Sequence, residues 1–426
     1  MDLEKQYRPR LIDSKIEKYL KNFVAISIQG PKWCGKTFTS LKIAKSVSYM
    51  TKQNLRELAK VDPKYIFTNE CPQLIDEWQL VPSIWDSVRH ECDISNSKGK
   101  FILTGSTALT KKEQEEQVFH SGTGRIAIMK MNPMSLYESG DSNGRVSIMD
   151  MMKDTVKTCY TGKVELPYIA KLIIRGGWPE NLNIPDEDVG IIPKSYIDSV
   201  VTKDINERED KKRDSKKMRQ LLKSLARNES SVAGELTILK DIEQCQNEDE
   251  IISSRITIAD YISALDDIFI LANQEAFSIN YRSSSRLGKN AKRHFVDPSL
   301  ACSSLDLSID KLMNDFNTFG LMFESLVIRD LRIYMDYLDG EVLHFRDNLS
   351  GDEVDAILEF RDGSYGAVEI KLTDSSIEQA KKSLMQFYKN VSKKPKFMCI
   401  IVGYYEAIVK DEETGIYIIP ITELQP

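Results

Sequence analysis

The stretch "SIQGPKWCGKTFTS", residues 27–40, places two glycines around four bulky or constrained residues and follows them at once with a lysine and a threonine. Gly30 to Thr37 fits the pattern GxxxxGK[ST] without a gap. The apolar run "FVAISIQ" precedes it, and apolar residues at helical spacing follow in "KTFTSLKIAKSVSYM", residues 36–50. Strand, glycine loop and helix in this order predict the first unit of a parallel α/β sheet.

The glycine loop predicts a polyphosphate site. Glycine lets backbone N–H groups approach phosphate oxygens, and the helix that follows points its N-terminus at the same anion. Lys36 adds a full charge toward the β- and γ-phosphates, and the Thr37 hydroxyl can ligate Mg²⁺. ATP and Mg²⁺ are therefore the expected ligands, although the residues do not separate ATP from GTP. The expected nucleotide contacts are Gly30, Pro31, Lys32, Trp33, Cys34, Gly35, Lys36, Thr37 and Phe38.

Polar residues after two further strand candidates predict the rest of a hydrolytic site. In "QLIDEW" we expect Asp76 to hold the metal through water and Glu77 to act as the general base. In "FILTGS", Thr104 or Ser106 would sense the γ-phosphate or orient water, and Ser106 is taken as catalytic together with Lys36 and Glu77. Arg125 is expected to neutralise transition-state charge, in cis or from a neighbouring subunit of a homo-oligomer.

Composition limits the class of protein. A chain of 426 residues suggests about three domains, and 41% hydrophobic with 29% charged residues is ordinary for a globular protein. A net charge of −6 argues against a basic nucleic-acid coat but leaves room for a local basic groove. The seven cysteines form no CxxC pair, which favours reduced thiols. With neither an apolar signal region nor a run of about 18 apolar residues, we expect a cytoplasmic protein without a membrane span.

Beyond the nucleotide motifs, the chain changes character several times. The polar stretch "ESGDSNGR" ends the first part, and the following text is mostly helical. Residues 201–228 carry dense mixed charge, typical of a solvated helix face. Next come a helical pattern and a strand-like tail, and the basic segment "NYRSSSRLGKNAKRHFVD", residues 280–297, would be the tip of a wing. The resulting boundaries separate residues 1–140, which contain the glycine loop, from residues 141–200, from residues 201–300, whose pattern is compatible with a winged helix, and from residues 301–426.

An ordered set of motifs covers nearly the whole length of the chain. These are "YRPRLID", "GPKWCGKT", "LIDEWQLVPSIWD", "FILTGS", "GRIAIMKMNPMSLYE", "RGGWPE", "FVDPSLA", "FGLMFESLVIRDL" and "HFRDNLSGDEVDAILE…VEIKL". In the content and order of these motifs, the chain resembles a prokaryotic family of AAA+-like P-loop ATPases with a characteristic C-terminal domain. This resemblance implies a P-loop ATPase core (1–140), a helical lid (141–200), a winged-helix-like region (201–300) and a C-terminal α/β domain (301–426) whose fold is similar to restriction-endonuclease-like, PD-(D/E)xK, domains.

Asp355 and Glu369-Ile-Lys371 fit the D-x(n)-ExK pattern of those nuclease-like folds. Two carboxylates on adjacent strands can hold Mg²⁺ against a scissile phosphate, and Lys371 shares a strand face with Glu369 and can position water. The resemblance implies Glu324 as an extra acid on the preceding helix. The motif is short, and charges that alternate with apolar residues suit any half-exposed strand. The same scaffold also serves as a binding or regulatory module.

Three functions are compatible with these features. The first is an ATP-hydrolysing molecular switch coupled to DNA or to a defence-related target through its C-terminal domains. The second is a Mg²⁺-dependent DNA nuclease licensed by the ATPase, and the third is a nucleotide-dependent scaffold with little turnover. The presence of Glu77 argues against the scaffold. Double-stranded DNA is the expected macromolecular partner.

Overall fold

The computed structural model describes residues 7–68, 70–106, 124–204, 213–244, 254–278, 291–347 and 351–426. The chain forms two compact units. The N-terminal unit comprises Met1–Pro133 and Ala264–Ile270, and the C-terminal unit comprises Met134–Ser263 and Leu271–Pro426. Within the described ranges, no helix is both long and apolar enough to cross a membrane. The finer division into four parts stays a prediction.

A five-stranded parallel sheet in the order β2-β3-β4-β1-β5 is the centre of the N-terminal unit. Its strands are β1 (Ala25–Gln29), β2 (Ser46–Tyr49), β3 (Gln73–Asp76), β4 (Phe101–Gly105) and β5 (Ile126–Lys130). Its helices are α1 (Ile12–Asn22), α2 (Lys36–Leu41), α3 (Gln53–Val61) and α4 (Ser83–Ile94), with 3₁₀ turns at Pro63–Ile66 and Trp78–Leu80. The predicted parallel α/β core is confirmed.

Strand order and register bring the predicted nucleotide residues to one sheet edge. Strand β4 lies between β1 and β3, so it borders both the strand before the glycine loop and the strand that ends in the paired acids. Gln29 at the end of β1 is opposite Gly105, and Asp76 at the end of β3 is opposite Thr104. Because all of these strands are parallel, their carboxyl ends meet at one edge, where α/β sheets place ligand groups.

The helix expected from residue 36 to residue 50 is wrong in its second half. Helix α2 ends at Leu41, and strand β2 follows at Ser46–Tyr49. The strand pairs with β3 from Ser46 opposite Gln73 onward, and the Ser48 hydroxyl donates to the Ile66 carbonyl. The tertiary ladder therefore overrides the local helical spacing, since short apolar runs do not distinguish the two states.

The C-terminal unit begins with helices and ends in a mixed α/β layer. Its helices are α5 (Leu136–Ser139), α6 (Ile148–Lys153), α7 (Leu166–Arg175), α8 (Ile191–Ser199), α9 (Ser215–Arg227), α10 (Glu235–Gln244), α11 (Arg255–Asp267, whose last turn belongs to the N-terminal unit), α12 (Pro298–Ser304), α13 (Ile309–Asn314), α14 (Phe316–Tyr337) and α15 (Ile377–Asn390). Its strands are β6 (Val146–Ser147), β7 (Cys159–Tyr160), β8 (Glu341–Arg346), β9 (Glu353–Glu359), β10 (Tyr365–Thr373), β11 (Phe397–Tyr404), β12 (Ala407–Lys410), β13 (Tyr417–Pro420) and β14 (Leu424–Gln425). A π-helical turn at Val200–Asp204 follows α8, and 3₁₀ turns lie at Pro179–Asn183, Asp186–Asp188, Asp374–Ser376 and Ile421–Glu423.

Seven of these strands form one sheet in the order β7-β12-β13-β11-β10-β9-β8. Strands β10, β11 and β13 run parallel, whereas β8 and β9 form an antiparallel edge. Helix α15 packs Leu384 and Phe387 into a core with Ile357 and Ile400 of the sheet. The predicted order of helix, three strands, helix and strand after residue 315 is confirmed. The nuclease-like identity of this layer stays a prediction.

In the described part of the region predicted as a winged helix, helices α9 to α11 are followed by two extended segments. Isolated antiparallel bridges join Leu271 to Phe295 and Gln274 to Lys292. Most of the expected wing tip, residues 280–290, lies outside the described residues. Helices followed by paired segments are compatible with a winged helix, which remains a prediction.

Several family motifs meet in one buried polar cluster of the C-terminal unit. Arg329 donates from Nη1 to Asp297 at 3.0 Å and from Nη2 to Asp330 at 2.7 Å. Asp297 also accepts the Gly177 N–H, and Asp330 accepts the N–H of Leu136 at the start of α5. Because all of the charges are paired or hydrogen-bonded, the cluster can be buried. Motifs far apart in sequence are thus joined by one arginine.

Candidate nucleotide site

The glycine loop between β1 and α2 has the backbone geometry that its sequence predicts. Gly35 has φ of 103°, a region that side chains with a Cβ rarely adopt, and it directly precedes α2. At Gly30, an added Cβ would lie 2.1 Å from the Met131 carbonyl oxygen. Trp33 also has a positive φ, of 63°, and its ring is 45% exposed. Both glycines are therefore required by the path of the chain.

Lys36 crosses back over the base of the loop. Its ammonium donates to the carbonyl oxygens of Gly30 at 2.9 Å and Pro31 at 2.7 Å, and the residue is only 6% exposed. The contacts hold the positive charge inside the turn that would receive a phosphate. The other loop residues vary in burial: Pro31 and Cys34 are buried, Lys32 and Thr37 are half-buried, and Phe38 is exposed.

The first acid of the pair is joined to the loop by hydroxyl groups. Thr37 donates from Oγ1 to Asp76 Oδ1 at 2.8 Å, and Thr104 donates to the same oxygen at 2.7 Å. Asp76 is buried at the carboxyl end of β3. The structure thus brings together Thr37 and Asp76, the two residues expected at the metal.

Glu77, the expected general base, lies beside these residues with an unusual backbone. Its φ of 55° and ψ of 44° place it in the left-handed region. Its Oε2 accepts a hydrogen bond from the Gln79 amide and, at 3.4 Å, one from the Ser106 hydroxyl. Strained backbone of this kind is concentrated at functional sites, where the surrounding fold has to hold it. The structure thus brings Ser106 and Gln79 next to Glu77; the catalytic role of Ser106 stays a prediction, and Gln79 is an addition that the sequence analysis missed.

A second residue that the sequence analysis missed is Arg10, which lies just before α1 and supports the glycine loop. Its guanidinium donates to the carbonyl oxygens of Cys34 and Asn132, both at 2.8 Å. Asp13 accepts the Arg10 N–H and is itself contacted by Tyr7 at 2.6 Å and by Lys42 at 3.1 Å. Burial and the Asp13 hydrogen bond raise the pKa of Tyr7. The motif "YRPRLID" contained the signal, but nothing in it indicates which carbonyls Arg10 contacts.

Arg125 is not brought to the glycine loop of its own chain. It directly precedes β5, whose first residue, Ile126, pairs with Ala25 at the start of β1, whereas the loop follows the end of β1. A five-residue strand separates these edges by about 13 Å. Arg125 is half exposed and forms an ion pair with Asp93, and this hydrogen bond lowers the pKa of Asp93. A role for Arg125 in a neighbouring subunit stays a prediction.

In the C-terminal unit, the four residues predicted for a nuclease-like site lie close together, and an additional lysine lies among them. Lys371 Nζ lies 3.2 Å from Asp355 and 2.6 Å from Glu369. Lys292, which the sequence reading did not select, lies 3.1 Å from Glu324 and 3.7 Å from Asp355. Burial opposes ionisation of Asp355, but Lys371 and Lys292 nevertheless lower its pKa.

The Lys292 ammonium lies among the carboxylates of this second group. Burial raises the pKa of Glu324 to about 7 and that of Glu369 to about 8. Among the described residues, no group of three or more carboxylate, histidine or cysteine side chains is arranged to hold a metal ion. Because the ammonium already contacts Glu324 and Asp355, the groups present here do not fit the Mg²⁺ that a nuclease-like fold implies, since Mg²⁺ takes oxygen ligands only.

Three family models match the chain. Residues 22–140 match an AAA domain, residues 167–311 match a domain of unknown function (DUF8612), and residues 319–424 match another domain of unknown function (DUF4143). The first match contains the glycine loop, the acid pair and the whole five-stranded sheet. The N-terminal region is thus similar to AAA domains and has the P-loop motif.

Among solved structures, the chain is similar to the Walker-type ATPase PABY2304 of Pyrococcus abyssi, with a TM-score of 0.40 and 12% identity over 71% of this chain and 97% of that chain. It is also similar to the ORC1 protein of Aeropyrum pernix, solved in complex with DNA, with a TM-score of 0.28 and 12% identity over 71% of this chain and 95% of that chain. The comparison with curated proteins gave no match.

Proposed function

We propose that the AAA domain binds ATP together with Mg²⁺ and hydrolyses it. The observation that carries this proposal is the 2.8 Å contact between the Thr37 hydroxyl and Asp76, directly beside the glycine loop. A loop that accepts phosphate and an acid that accepts metal are separated by 39 residues of sequence but meet at one sheet edge. Their convergence is the arrangement that nucleotide hydrolysis requires.

Binding would begin with the backbone of the loop. Main-chain N–H groups between Gly30 and Thr37 would contact the β- and γ-phosphates, since no Cβ at Gly30 or Gly35 blocks their approach. Lys36 would exchange its two carbonyl partners for phosphate oxygens, because an anion competes well with a neutral carbonyl for an ammonium group. Lys36, which the loop already holds in place, thus supplies the positive charge that contacts the phosphates.

Thr37 and Asp76 fit a magnesium ion. Both offer oxygen atoms, and Mg²⁺ in phosphate sites typically takes one or two protein ligands, with phosphates and waters completing its shell. When bound, Mg²⁺ supplies positive charge that neutralises the phosphate oxygens. Thr104 would hold Asp76 in position through its hydrogen bond to the same carboxylate oxygen.

Glu77 would supply the base for hydrolysis. A water molecule attacks the γ-phosphorus, the bond to the β–γ bridging oxygen breaks, and ADP and phosphate leave. Glu77 accepts the proton of the attacking water, while Gln79 and Ser106 hold its carboxylate through their hydrogen bonds. Proton acceptance and carboxylate orientation are therefore divided between neighbouring residues.

The proposal predicts that two substitutions separate binding from turnover. Lys36→Ala should weaken Mg·ATP binding and abolish phosphate release, because the charge inside the loop is lost. Glu77→Gln should keep binding but reduce the turnover rate by roughly 100-fold or more, because the proton acceptor is lost. Isothermal titration with a non-hydrolysable ATP analogue and a steady-state phosphate-release assay measure the two effects separately.

Matched controls come from the exposed ion pair on α3. Glu57 and Lys60 contact each other at 3.0 Å on the surface of that helix. Glu57→Gln and Lys60→Ala repeat the same chemical changes away from the site and should leave both measurements unchanged. Full turnover in Lys36→Ala would refute the proposal. Tight binding by the wild-type protein without turnover would instead support the scaffold alternative.

Coupling of ATP hydrolysis to DNA or to a defence-related target stays a prediction. It requires that double-stranded DNA change the turnover rate of the wild-type protein at moderate salt. Phosphate release with and without a DNA duplex tests this, with Glu77→Gln as the background control. An unchanged rate over a range of salt concentrations would leave the ATPase proposal intact and remove DNA as its effector.

A further inference from the structure

The acidic group of the nuclease-like layer has a lysine among its carboxylates. Lys292 Nζ lies 3.1 Å from Glu324, 3.3 Å from Glu353 and 3.7 Å from Asp355. Its side chain is only 3% exposed, although lysine is among the residues least often buried. These three acids come from α14 and β9, so one ammonium group is shared between a helix and a strand.

We propose that Lys292 is a built-in cation that takes the place of a divalent metal among Glu324, Glu353 and Asp355, and that it locks residues 271–278 and 291–295 onto the C-terminal sheet. Together with Lys371, it holds the acids of the predicted nuclease motif in ion pairs. These ion pairs connect α14, β9 and β10 and form the ion-pair joint. The C-terminal unit would therefore not cleave DNA with Mg²⁺ or Mn²⁺.

The backbone around Lys292 supports the role of a lock. Lys292 and Gln274 exchange both backbone hydrogen bonds, each at 2.9 Å. The Gln274 amide then donates to the carbonyls of Leu343 and Asp355, both at 3.0 Å. Since Asp355 contacts the Lys292 ammonium as well, the lysine and its strand partner hold the same position of β9 from two sides. The backbone of Lys292 is thus held next to the strand whose acid its ammonium contacts.

The existing ion pairs oppose the binding of a metal ion. Asp355 and Glu369 are shared with Lys371, whose Nζ lies between them, and Glu324 and Glu353 face Lys292. A divalent ion would have to displace an ammonium group that is already desolvated and paired. A buried charge left without its partner is strongly unfavourable, so the displacement opposes metal binding.

Manganese titration tests the exclusion. All variants carry Asp76→Asn and are free of nucleotide, so the N-terminal site contributes no metal binding. The parent and Lys292→Arg should bind Mn²⁺ weakly, whereas Lys292→Met should bind one Mn²⁺ at least about tenfold more tightly than either of them. Adding Asp355→Asn to Lys292→Met should abolish that binding.

Lys381→Met is the matched control. Lys381 also contacts two acids, Glu378 at 3.0 Å and Asp411 at 2.6 Å, but lies outside the acidic group. This variant should gain no Mn²⁺ affinity. The proposal is overturned if the parent binds Mn²⁺ through Asp355, if Lys292→Met gains no affinity, or if the wild-type protein cleaves DNA in a manner lost in Asp355→Asn.

A thermal measurement keeps the proposal testable if Lys292→Met folds poorly. Loss of the ammonium should lower the melting temperature of the C-terminal unit by roughly 10 °C, because buried carboxylates lose their counter-charge. Removing a carboxylate as well, in Lys292→Met with Glu324→Gln, should restore about half of that loss or more. Strictly additive losses in the double variant would overturn the ion-pair joint.

Discussion

The phosphate loop shows how much one side chain outside a motif can contribute to it. Two carbonyl oxygens, those of Cys34 and Asn132, accept from the Arg10 guanidinium, which is buried. The guanidinium therefore ties the loop to the segment that follows β5. Phosphate binding requires the loop amides to be ordered. The Arg10 hydrogen bonds order them before ATP binds, so less conformational entropy is lost on binding.

We predict that Arg10→Ala weakens Mg·ATP binding by about tenfold, since it removes two hydrogen bonds from a charged donor. Titration with a non-hydrolysable ATP analogue measures the affinity. Arg8→Ala, which alters an exposed arginine two residues away, should bind normally. Equal affinities for wild type and Arg10→Ala would show that the loop is ordered without this contact.

At the nucleotide site, residue type and spacing predict which side chains meet. They do not predict the contacts that support those side chains. Lys36, Thr37, Asp76 and Glu77 follow from type and spacing, because phosphate and magnesium demand those groups. Arg10 and Gln79 act through atoms that only the folded chain brings near: a carbonyl 24 residues away and a neighbouring carboxylate. Sequence spacing contains no information about such partners.

At the scale of elements, local pattern predicts long buried strands well and short edge strands poorly. The apolar runs of β1, β4 and β11 are buried along nearly their whole length, which is the property that their composition reports. By contrast, the pattern predicts a helix where β2 lies, because four residues at a sheet edge carry too little pattern to compete with the helix before them. Its pairing with β3 decides the outcome.

The same limit applies to the ionic joints between elements. Lys292 lies in the basic segment 280–297, which the sequence predicts to be the tip of a wing. The structure places its ammonium beside Glu324 of α14 and Asp355 of β9. A surface role was the natural expectation for a lysine, since its burial is rare without several acids nearby. Those acids are contributed by residues more than 30 positions away.

Glu229, just after α9, joins three elements and gives a pH-dependent prediction. Its carboxyl group accepts from the Ser325 hydroxyl at 2.6 Å and from the Phe295 N–H at 3.1 Å, and His294 Nδ1 lies 3.2 Å away. Burial raises the pKa of Glu229 to about 8 from an ordinary 4.5. Between these values the folded chain holds a proton that the unfolded chain has lost, so stability is full at low pH and falls as pH rises through 8.

We therefore expect Glu229→Gln to reduce the loss of stability between pH 5.5 and pH 9, because glutamine carries no ionisable proton. Urea unfolding of wild type and variant at several pH values measures the two slopes. Glu275→Gln, a change at an exposed acid, should follow the wild-type slope. Parallel slopes for wild type and Glu229→Gln would contradict the assignment of this pH dependence to Glu229.

On the scale of the whole molecule, the tryptophans divide usefully between the two compact units. Trp33, Trp78 and Trp85 belong to the N-terminal unit, and Trp178 belongs to the C-terminal unit. A Trp178→Phe variant therefore confines tryptophan fluorescence to the N-terminal unit, which contains the glycine loop. A ligand that binds only the folded state raises the stability of the unit it binds.

In that variant, a non-hydrolysable ATP analogue with Mg²⁺ at about 100 times its dissociation constant should raise the melting temperature by about 5–10 °C. Fluorescence-detected melting measures the shift. Adding Lys36→Ala should remove it, because the phosphate loop then lacks its charge. A shift of equal size with and without Lys36 would place the nucleotide elsewhere in the molecule.

The last strand of the fold constrains how the protein is made. Strand β14 pairs with β6, and the Ser142 hydroxyl donates to the Leu424 carbonyl, 282 residues away. At a synthesis speed of about 5–20 residues per second, the ribosome needs roughly 15–60 s between these two points. Throughout that interval the early helices of the C-terminal unit lack their closing strand, so the nascent chain exposes an unpaired edge on which chaperones can act.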